Sequence, residues 1–353
     1  MEEKHIDDIQ TPTVDEHFEL LLSDDNIINS NFISVTPNNL PHWYNKKLFK
    51  EAQNYYKQNL MSMVTASFAG LIAIIVVPET LRVLVYTQKN SMPCVTFSRY
   101  TQTLLHMYKL YTCDPNDPNS DWYKTLNVMH RKHKTSSRRS ENAGVGGIYK
   151  RDMAITQFAF IGYVLMTPKS IGLCIKPQEE EALNHFWRVI GHMLEIPDRL
   201  NLCRKTVAET RELCQRVSNV LTQYLNDAPL KFYDIASAIL DGLWYMDVTI
   251  DKHAFLKFTY QLHGIKYNKS LGWYSRLNAK YRDFIFYLCL VPFIGAIVRI
   301  YYKYMVLFML WFTKKWPILA WLSFGLGTKC NFRVGSAFRY RSHLTAPRQS
   351  RCI

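Results

Sequence analysis

Residues 60–77 read "LMSMVTASFAGLIAIIVV", a run without any charged side chain that ends at Pro78. Its length lies on the border between a membrane-spanning helix and a helix buried in a protein core. The run lacks basic flanks, and serine, threonine and glycine are mixed among its apolar residues. These two features favour a helix in the protein core over a membrane span.

The sequence on either side of this run also follows helical patterns. The stretch "WYNKKLFKEAQNYYKQN" at 43–59 places Leu48, Ala52, Tyr55 and Tyr56 along one side at helical spacing. Further helices are predicted at about 97–111, 121–134, 151–166, 178–195, 204–225, 231–246 and 251–263. No alternating strand pattern of useful length is present in the sequence, which therefore predicts an all-α fold.

The net charge of +14 is unevenly distributed over the 353 residues. Residues 1–25 carry nine acids and one base, whereas no acid follows Asp283 and ten bases lie between Arg299 and Arg351. Such asymmetry indicates a solvated tail at one end and an anionic partner at the other, either nucleic acid or a membrane surface. The C-terminal bases alternate with long apolar runs, which favours a membrane over nucleic acid.

The composition divides the chain into four segments. The polar, Asn- and Pro-rich residues 1–40 are predicted to be a flexible acidic lead-in, and residues 41–263 a helical domain. Residues 264–328 are predicted to form apolar, membrane-associated helices, and residues 329–353 a basic tail.

The third segment contains apolar runs at 284–326 that bases such as Arg299 and Lys303 interrupt. Tryptophan and tyrosine at the edges of these runs suit a helix at the membrane interface. Two alternatives stay open. One is a tilted span whose bases face protein or snorkel, and the other is a pair of core helices with exposed bases.

Eight cysteines are present at irregular spacing, without any C-x-x-C pair and without a secretory signal before them. This pattern predicts reduced thiols and therefore an intracellular protein. The absence of C-x-x-C-H also argues against covalently attached haem.

The stretch "KTLNVMHRKHK" at 124–134 places His130 and His133 one helical turn apart. They could be solvated surface residues, half of a metal site, or the holder of a cofactor. A zinc site needs more ligands, and neither H-E-x-x-H nor the paired Glu-x-x-His elements of di-iron proteins occur. The remaining choices are a histidine that ligates haem iron and no site at all.

A second polar group lies in "FSRYTQTLLHMYKLYT" at 97–112. Arg99, Thr103 and His106 are spaced to share one helix face, which would present a cation, a hydroxyl and an imidazole beside an apolar wall. The alternative is structural: Arg99 pairs with an acid, and Thr103 bonds back to its own helix.

The order of landmarks between Trp43 and Cys203 resembles the catalytic domain of rubber oxygenases (latex clearing proteins) and of the endoplasmic-reticulum-bound oxygenase mpaB. The resemblance rests on five stretches: "WYNKKLFKEAQNYYKQN", "SRYTQT", "SDWYKTLNVMHRKH", "YKRDMAITQFAFIGYVLMTP" and "EEEALNHFWRVIGHMLEIPDRLNLC". It covers nearly half of the chain. It implies that 41–263 is a helical, rubber oxygenase-like catalytic domain, and it makes the endoplasmic reticulum a candidate compartment for this membrane-associated protein.

The resemblance also implies roles for individual residues. The family's "MH" motif falls on His130, which would be the axial ligand of the iron of a non-covalent haem b, with His133 facing solvent or a haem propionate. The family's Arg-x-x-x-Thr motif falls on Arg99 and Thr103, which would shape the distal pocket. This chain departs from the rubber-cleaving members at Gln102, where they have a lysine able to cap the iron.

These implications favour a haem b-dependent oxygenase that uses dioxygen on a double bond of an apolar isoprenoid or lipid. Two alternatives remain: a haem-binding protein without catalysis, and a helical membrane-associated interaction protein without a cofactor. Gln102 keeps the first alternative open. His185 and Trp187, in the last matching stretch, are interpreted as packing residues.

Overall fold

The computed structural model describes residues 5–29, 31–87 and 93–324. Within these residues the fold is all-α, as the sequence predicted, and the only β pairing is an isolated bridge between Ile27 and Tyr149. The first seven helices are α1 (Ile6–Ile9), α2 (Val14–Ser23), α3 (Lys46–Gln58), α4 (Leu60–Ile74), α5 (Pro78–Thr87), α6 (Pro93–Thr112) and α7 (Asp121–Asn142). The remaining eight are α8 (Lys150–Met166), α9 (Pro177–Met193), α10 (Val207–Asn226), α11 (Leu230–Trp244), α12 (Lys252–Leu262), α13 (Trp273–Leu290), α14 (Ile294–Lys315) and α15 (Ile318–Phe324).

Helix α4, the uncharged run of the sequence, lies in the centre of the protein. Its principal neighbour is α8, and α3, α10, α12 and α14 also pack against it. Residues around its whole circumference are buried, which agrees with an apolar run that has no polar face. The prediction of a core helix is therefore confirmed, and the chain bends by 97° between α4 and α5, where Pro78 begins the next helix.

The α4–α8 contact brings two backbones together at Gly70. A β-carbon at this position would lie 2.4 Å from the α-carbon of Ala159 in α8. Real carbon atoms do not approach that closely, so only glycine permits this crossing.

The N-terminal segment packs on the protein instead of forming the flexible lead-in that the sequence predicted. Helix α2 begins with a capping box between Thr13 and Glu16, and it buries His17 and Leu21. The Gln10 amide donates to the carbonyl of Asn201 at 3.0 Å. A polar segment can dock in this way because long-range hydrogen bonds and charge pairs hold it, which hydrophobic periodicity does not reveal.

Charge pairs connect the same segment to the end of α9 and the loop after it. Arg188 bonds Asp7, and Arg199 bonds Asp24. Two of the acids that suggested a solvated tail are thus paired with arginines that lie about 180 residues away in sequence.

The C-terminal helices share the same core. Val306 and Leu310 of α14 and Phe286 of α13 belong to the main cluster of buried apolar residues, because α14 packs against α3 and α4. Residues 264–324 therefore pack on the same hydrophobic core as the domain that was predicted for residues 41–263.

The cysteines differ from the prediction at one position. Cys113, Cys174, Cys203, Cys214 and Cys289 are free thiols. Cys94, however, is disulfide-bonded, so the prediction of reduced thiols is wrong for this residue. Irregular spacing in sequence gave no sign of it, because pairing depends on which cysteines the fold brings together.

Gly70→Ala is expected to lower the free energy of unfolding by at least about 2 kcal/mol, because the new methyl group overlaps the backbone of α8. Urea denaturation would measure this change. Gly272→Ala is the matched control, since a β-carbon there meets nothing within 4 Å. Equal stability of the two variants would contradict the close α4–α8 contact.

Candidate functional site

Helix α7 carries both histidines of the "MHRKH" stretch. The Ser120 hydroxyl caps its first turn by accepting from the Trp122 amide at 3.0 Å. The buried Trp122 indole donates to the carbonyl of Leu110 at 3.2 Å, which ties α7 to the end of α6. Although His130 and His133 lie one turn apart, they have different surroundings.

His130 contacts the N-terminal segment and the loop after α9. It is 3 % exposed, and its Nε2 lies 3.2 Å from the Oε2 of Glu195. Its ring packs edge-on against Phe32, with centroids 5.7 Å apart. The Nδ1 atom is buried and has no hydrogen-bond partner among the described residues.

Glu195 is the residue of this site that sequence reasoning missed. It follows the end of α9 with a φ of 58°, a left-handed conformation that glycine usually occupies. The amide of Ile196 donates to the carbonyl of Gly191 at 3.0 Å, so the chain turns back on the helix end here. A glutamate held in this strained conformation is often part of a functional arrangement.

The Glu195 carboxylate joins His130 to a buried lysine. The Lys134 ammonium, 4 % exposed, lies 2.9 Å from the same Oε2 atom and also donates to the carbonyl of Asn31. Burial raises the pKa of Glu195, but the hydrogen bonds from His130 and Lys134 outweigh burial and hold this pKa below its ordinary value. The carboxylate is therefore ionised at neutral pH.

His133 is half-buried beside α6 and does not face open solvent, so the other expectation for this residue, a contact with a haem propionate, stays a prediction. Its Nδ1 is shielded from solvent, and neither ring nitrogen has a hydrogen-bond partner among the described residues. Burial, together with the charges of His130, Arg99 and Lys132, lowers the pKa of His133 to about 4. The imidazole is therefore neutral at neutral pH, which is the form that ligates metals.

The α6 residues singled out from the sequence lie across from His133. The Thr103 hydroxyl donates to the carbonyl of Arg99 at 3.1 Å, so the helix-bonding alternative holds for Thr103. Arg99 has no acidic partner among the described residues, and its guanidinium lies 5.9 Å from the centroid of the Tyr100 ring. Burial, followed by the charges of Lys132, Lys109 and His133, lowers the pKa of His106 to about 3.

Gln102, the departure from the family pattern, contacts α7. Its Oε1 accepts from the Lys132 ammonium at 2.6 Å. Burial and the nearby Arg99 charge lower the pKa of Lys132. Two cations with no acidic partner among the described residues thus lie near His133.

A narrow apolar crevice runs beside Thr103 between α4, α6 and α8. Its volume is about 10 Å³, and its lining includes Tyr56, Val64, Leu71, Met107 and Phe160. Pockets that enclose a cofactor-sized ligand measure roughly 300–1,000 Å³. The crevice has a suitable apolar lining, but α4 and α6 would have to separate before it admitted such a ligand.

No group of three or more His, Cys, Asp or Glu side chains that could hold a metal ion occurs in the described part of the chain. His185 and Trp187 are packing residues, as predicted. The His185 Nε2 accepts from the Asn45 amide at 2.9 Å, and the Trp187 indole donates to the Tyr111 hydroxyl at 2.8 Å.

No family model and no curated protein match this sequence. The fold is similar to that of a solved structure, latex clearing protein in the closed state. The TM-score is 0.52, the match covers 76% of this chain and 76% of that chain, and 14% of the residues are identical. At this identity the similarity shows a latex-clearing-protein-like fold and nothing about the site. The resemblance to mpaB stays a prediction.

The two neutral histidines predict that stability falls in acid. Unfolded histidine takes up a proton near its ordinary pKa of 6.5, whereas folded His133 does so only near pH 4 and His106 near pH 3. Stability is therefore fully present above about pH 6.5 and is lost progressively as the pH falls toward 4. Thermal melts of the haem-free protein between pH 4 and pH 6.5 should show this loss of stability.

His133→Gln and His106→Gln should each flatten this pH dependence, because glutamine does not titrate. The double variant should flatten it further. A variant with the wild-type slope would mean that the histidine it removes is not held neutral by the fold.

Glu195→Gln is expected to lower the free energy of unfolding by about 1–2 kcal/mol, because the buried Lys134 loses its counter-charge. In a Lys134→Met background the same substitution should cost much less. A double-mutant cycle from denaturant melts measures the difference. Equal costs in both backgrounds would show that the Glu195–Lys134 pair contributes nothing.

Proposed function

We propose that this chain is a haem b-dependent oxygenase that uses dioxygen on a double bond of an apolar isoprenoid or lipid. The fold shared with latex clearing protein supports this proposal, as do the motif resemblances on α6 and α7. The observation that carries it is a neutral, unpartnered imidazole that lies beside two cations without acidic partners.

The donor set fits haem. A neutral imidazole is a normal axial ligand of haem iron, and the two haem propionates favour arginine and lysine partners. Lys132 provides such a charge, and no carboxylate competes for it among the described residues. The crevice provides apolar walls but requires the helices to separate, so binding would be coupled to an opening of the fold.

Our proposal assigns the iron ligand to His133 in preference to His130, the residue that the "MH" motif suggested. The Nε2 of His130 is engaged by Glu195, and its ring packs on Phe32. The Nδ1 of each histidine is buried without a partner, but no hydrogen bond to His133 occurs among the described residues, and its ring lies near Arg99. His130, Glu195 and Lys134 then form a neighbouring network that fixes α7 in position.

Haem iron supplies the binding and activation of dioxygen. The residues of this chain would orient the reactants. Arg99 offers guanidinium donors that no described acid occupies, and the Thr103 hydroxyl lies at the wall of the crevice. The apolar lining would hold an unsaturated hydrocarbon and exclude water.

Reconstitution with haemin tests the ligand assignment. The wild-type protein should acquire a Soret band, His133→Ala should bind haemin at least about tenfold more weakly, and His130→Ala should retain it. Equilibrium titration followed by absorbance measures both affinities. If only the His130→Ala variant failed to bind haemin, the iron ligand would be His130. If the wild-type protein stayed colourless, the proposal that it binds haem would be wrong.

Arg99→Ala and Thr103→Ala separate binding from turnover. Both variants should keep the Soret band. Arg99→Ala should lower dioxygen consumption with an unsaturated lipid at least about tenfold, as removal of a positioned donor does. Thr103→Ala should lower it less, because the Thr103 hydroxyl already donates to the carbonyl of Arg99. Wild-type protein that binds haem but consumes no dioxygen would favour the silent haem-binding alternative.

The closed crevice favours a second candidate function. A volume of about 10 Å³ is what a cofactor-free helical protein would show. In that case the chain would be a membrane-associated interaction protein, and the haemin titration would give no specific spectrum.

A further inference from the structure

Exposed apolar side chains are concentrated in the C-terminal helices. Elsewhere in the described residues, large exposed apolar side chains are scattered. Between residues 273 and 322 they recur every few residues along the sequence: Trp273, Tyr274, Leu277, Tyr281, Phe284, Tyr287, Phe293, Ile294, Ile297, Ile300, Tyr301, Tyr304, Met305, Phe308, Trp311, Trp316, Ile318 and Leu322. A patch of this extent marks a surface that contacts another apolar phase.

Helix α14 has two distinct faces. Val306, Leu310 and Thr313 are buried against the protein at spacings of four and three residues. On the other side the residues at 297, 301, 304, 308 and 311 form an exposed stripe with the same helical spacing. Only 17% of the most apolar part of α14 is buried, so α14 covers the core with one face and leaves the other face exposed.

The turn between α13 and α14 presents a phenylalanine to solvent. Phe293 is 90 % exposed, and it has a φ of 61° and a ψ of −53°. The amide of Ile294 donates to the carbonyl of Pro292 at 2.7 Å, which closes a tight three-residue turn. This conformation is strained for a residue with a side chain, and the strain persists only where the surroundings or a function require it.

The charges near this surface are mostly positive, because Asp283 in α13 is the one acid between residues 273 and 324. No acid follows Asp283, and Lys314 and Lys315 are exposed at the end of α14. Tyrosine and tryptophan are frequent in the stripe, and both residues prefer the level of lipid headgroups. Lysines near an anionic bilayer surface add on the order of 1 kcal/mol each to membrane binding.

We infer that the outer face of α13–α15, which we call the hairpin face, lies on one leaflet of an anionic lipid bilayer with Phe293 inserted as its tip. Helix α14, with 22 residues, is long enough to cross a membrane. It does not cross here, because its opposite face is packed against α3 and α4. The protein would therefore be monotopic, and this inference does not depend on haem.

Sedimentation of the full chain with preformed vesicles tests the inference. The protein should bind phosphatidylcholine vesicles that contain phosphatidylserine, and added salt or Lys314→Gln with Lys315→Gln should weaken binding several-fold. Phe293→Gly should weaken binding roughly tenfold, because it removes the inserted ring. Phe293→Leu should retain most of it.

Two controls separate insertion from folding. Phe293→Gly should melt at the same or a higher temperature than the wild type, because glycine adopts this turn without strain. Leu230→Ser removes an equally prominent apolar side chain, 82 % exposed and far from the hairpin face in sequence, and should leave binding unchanged.

Three outcomes would overturn the inference. Wild-type protein that binds phosphatidylcholine vesicles neither with nor without phosphatidylserine would exclude a lipid surface. A dimer in analytical ultracentrifugation that Phe293→Gly dissociates would show that a second copy covers the face. Equal vesicle binding of the Phe293→Gly and wild-type proteins would show that Phe293 does not insert into the bilayer.

Discussion

The backbone contact between Gly70 and Ala159 is the constraint on which the rest of the structure depends. It lets α4 and α8 cross closely enough to form the centre of the core, and α3, α10, α12 and α14 then pack around α4. An apolar helix without a polar face must be covered on all sides. These helices are positioned by the need to cover it, and α7, which carries His130 and His133, packs farther out against α5 and α6.

The candidate site lies between α6 and α7, where several polar groups lack partners among the described residues. The buried Nδ1 of His133 has none, and an unpaired buried polar atom costs free energy. Arg99 and Lys132 have no acidic partner among the described residues, although Lys132 is exposed to water. Under our proposal, the haem iron would take up the imidazole nitrogen and a propionate would pair with Lys132.

One turn away, the polar groups near His130 are largely paired. Glu195 balances Lys134 and meets the ring of His130, although its backbone must adopt a left-handed conformation to do so. The two histidines lie on one helix but have different surroundings, so the motif alone does not decide which of them our proposal assigns to the iron. That choice depends on the residues that face each ring.

The sequence by itself determined the all-α class, the core position of α4 and most helix positions, because periodicity and turn residues are local properties. It also located Arg99, Thr103 and the histidine pair. Only the tertiary structure decided that Glu195 reaches His130, that His133 faces α6, that the N-terminal segment docks and that α14 exposes one face. Each of these depends on residues distant in the chain, and the burial of a polar group is a property of its neighbours, which one sequence does not record.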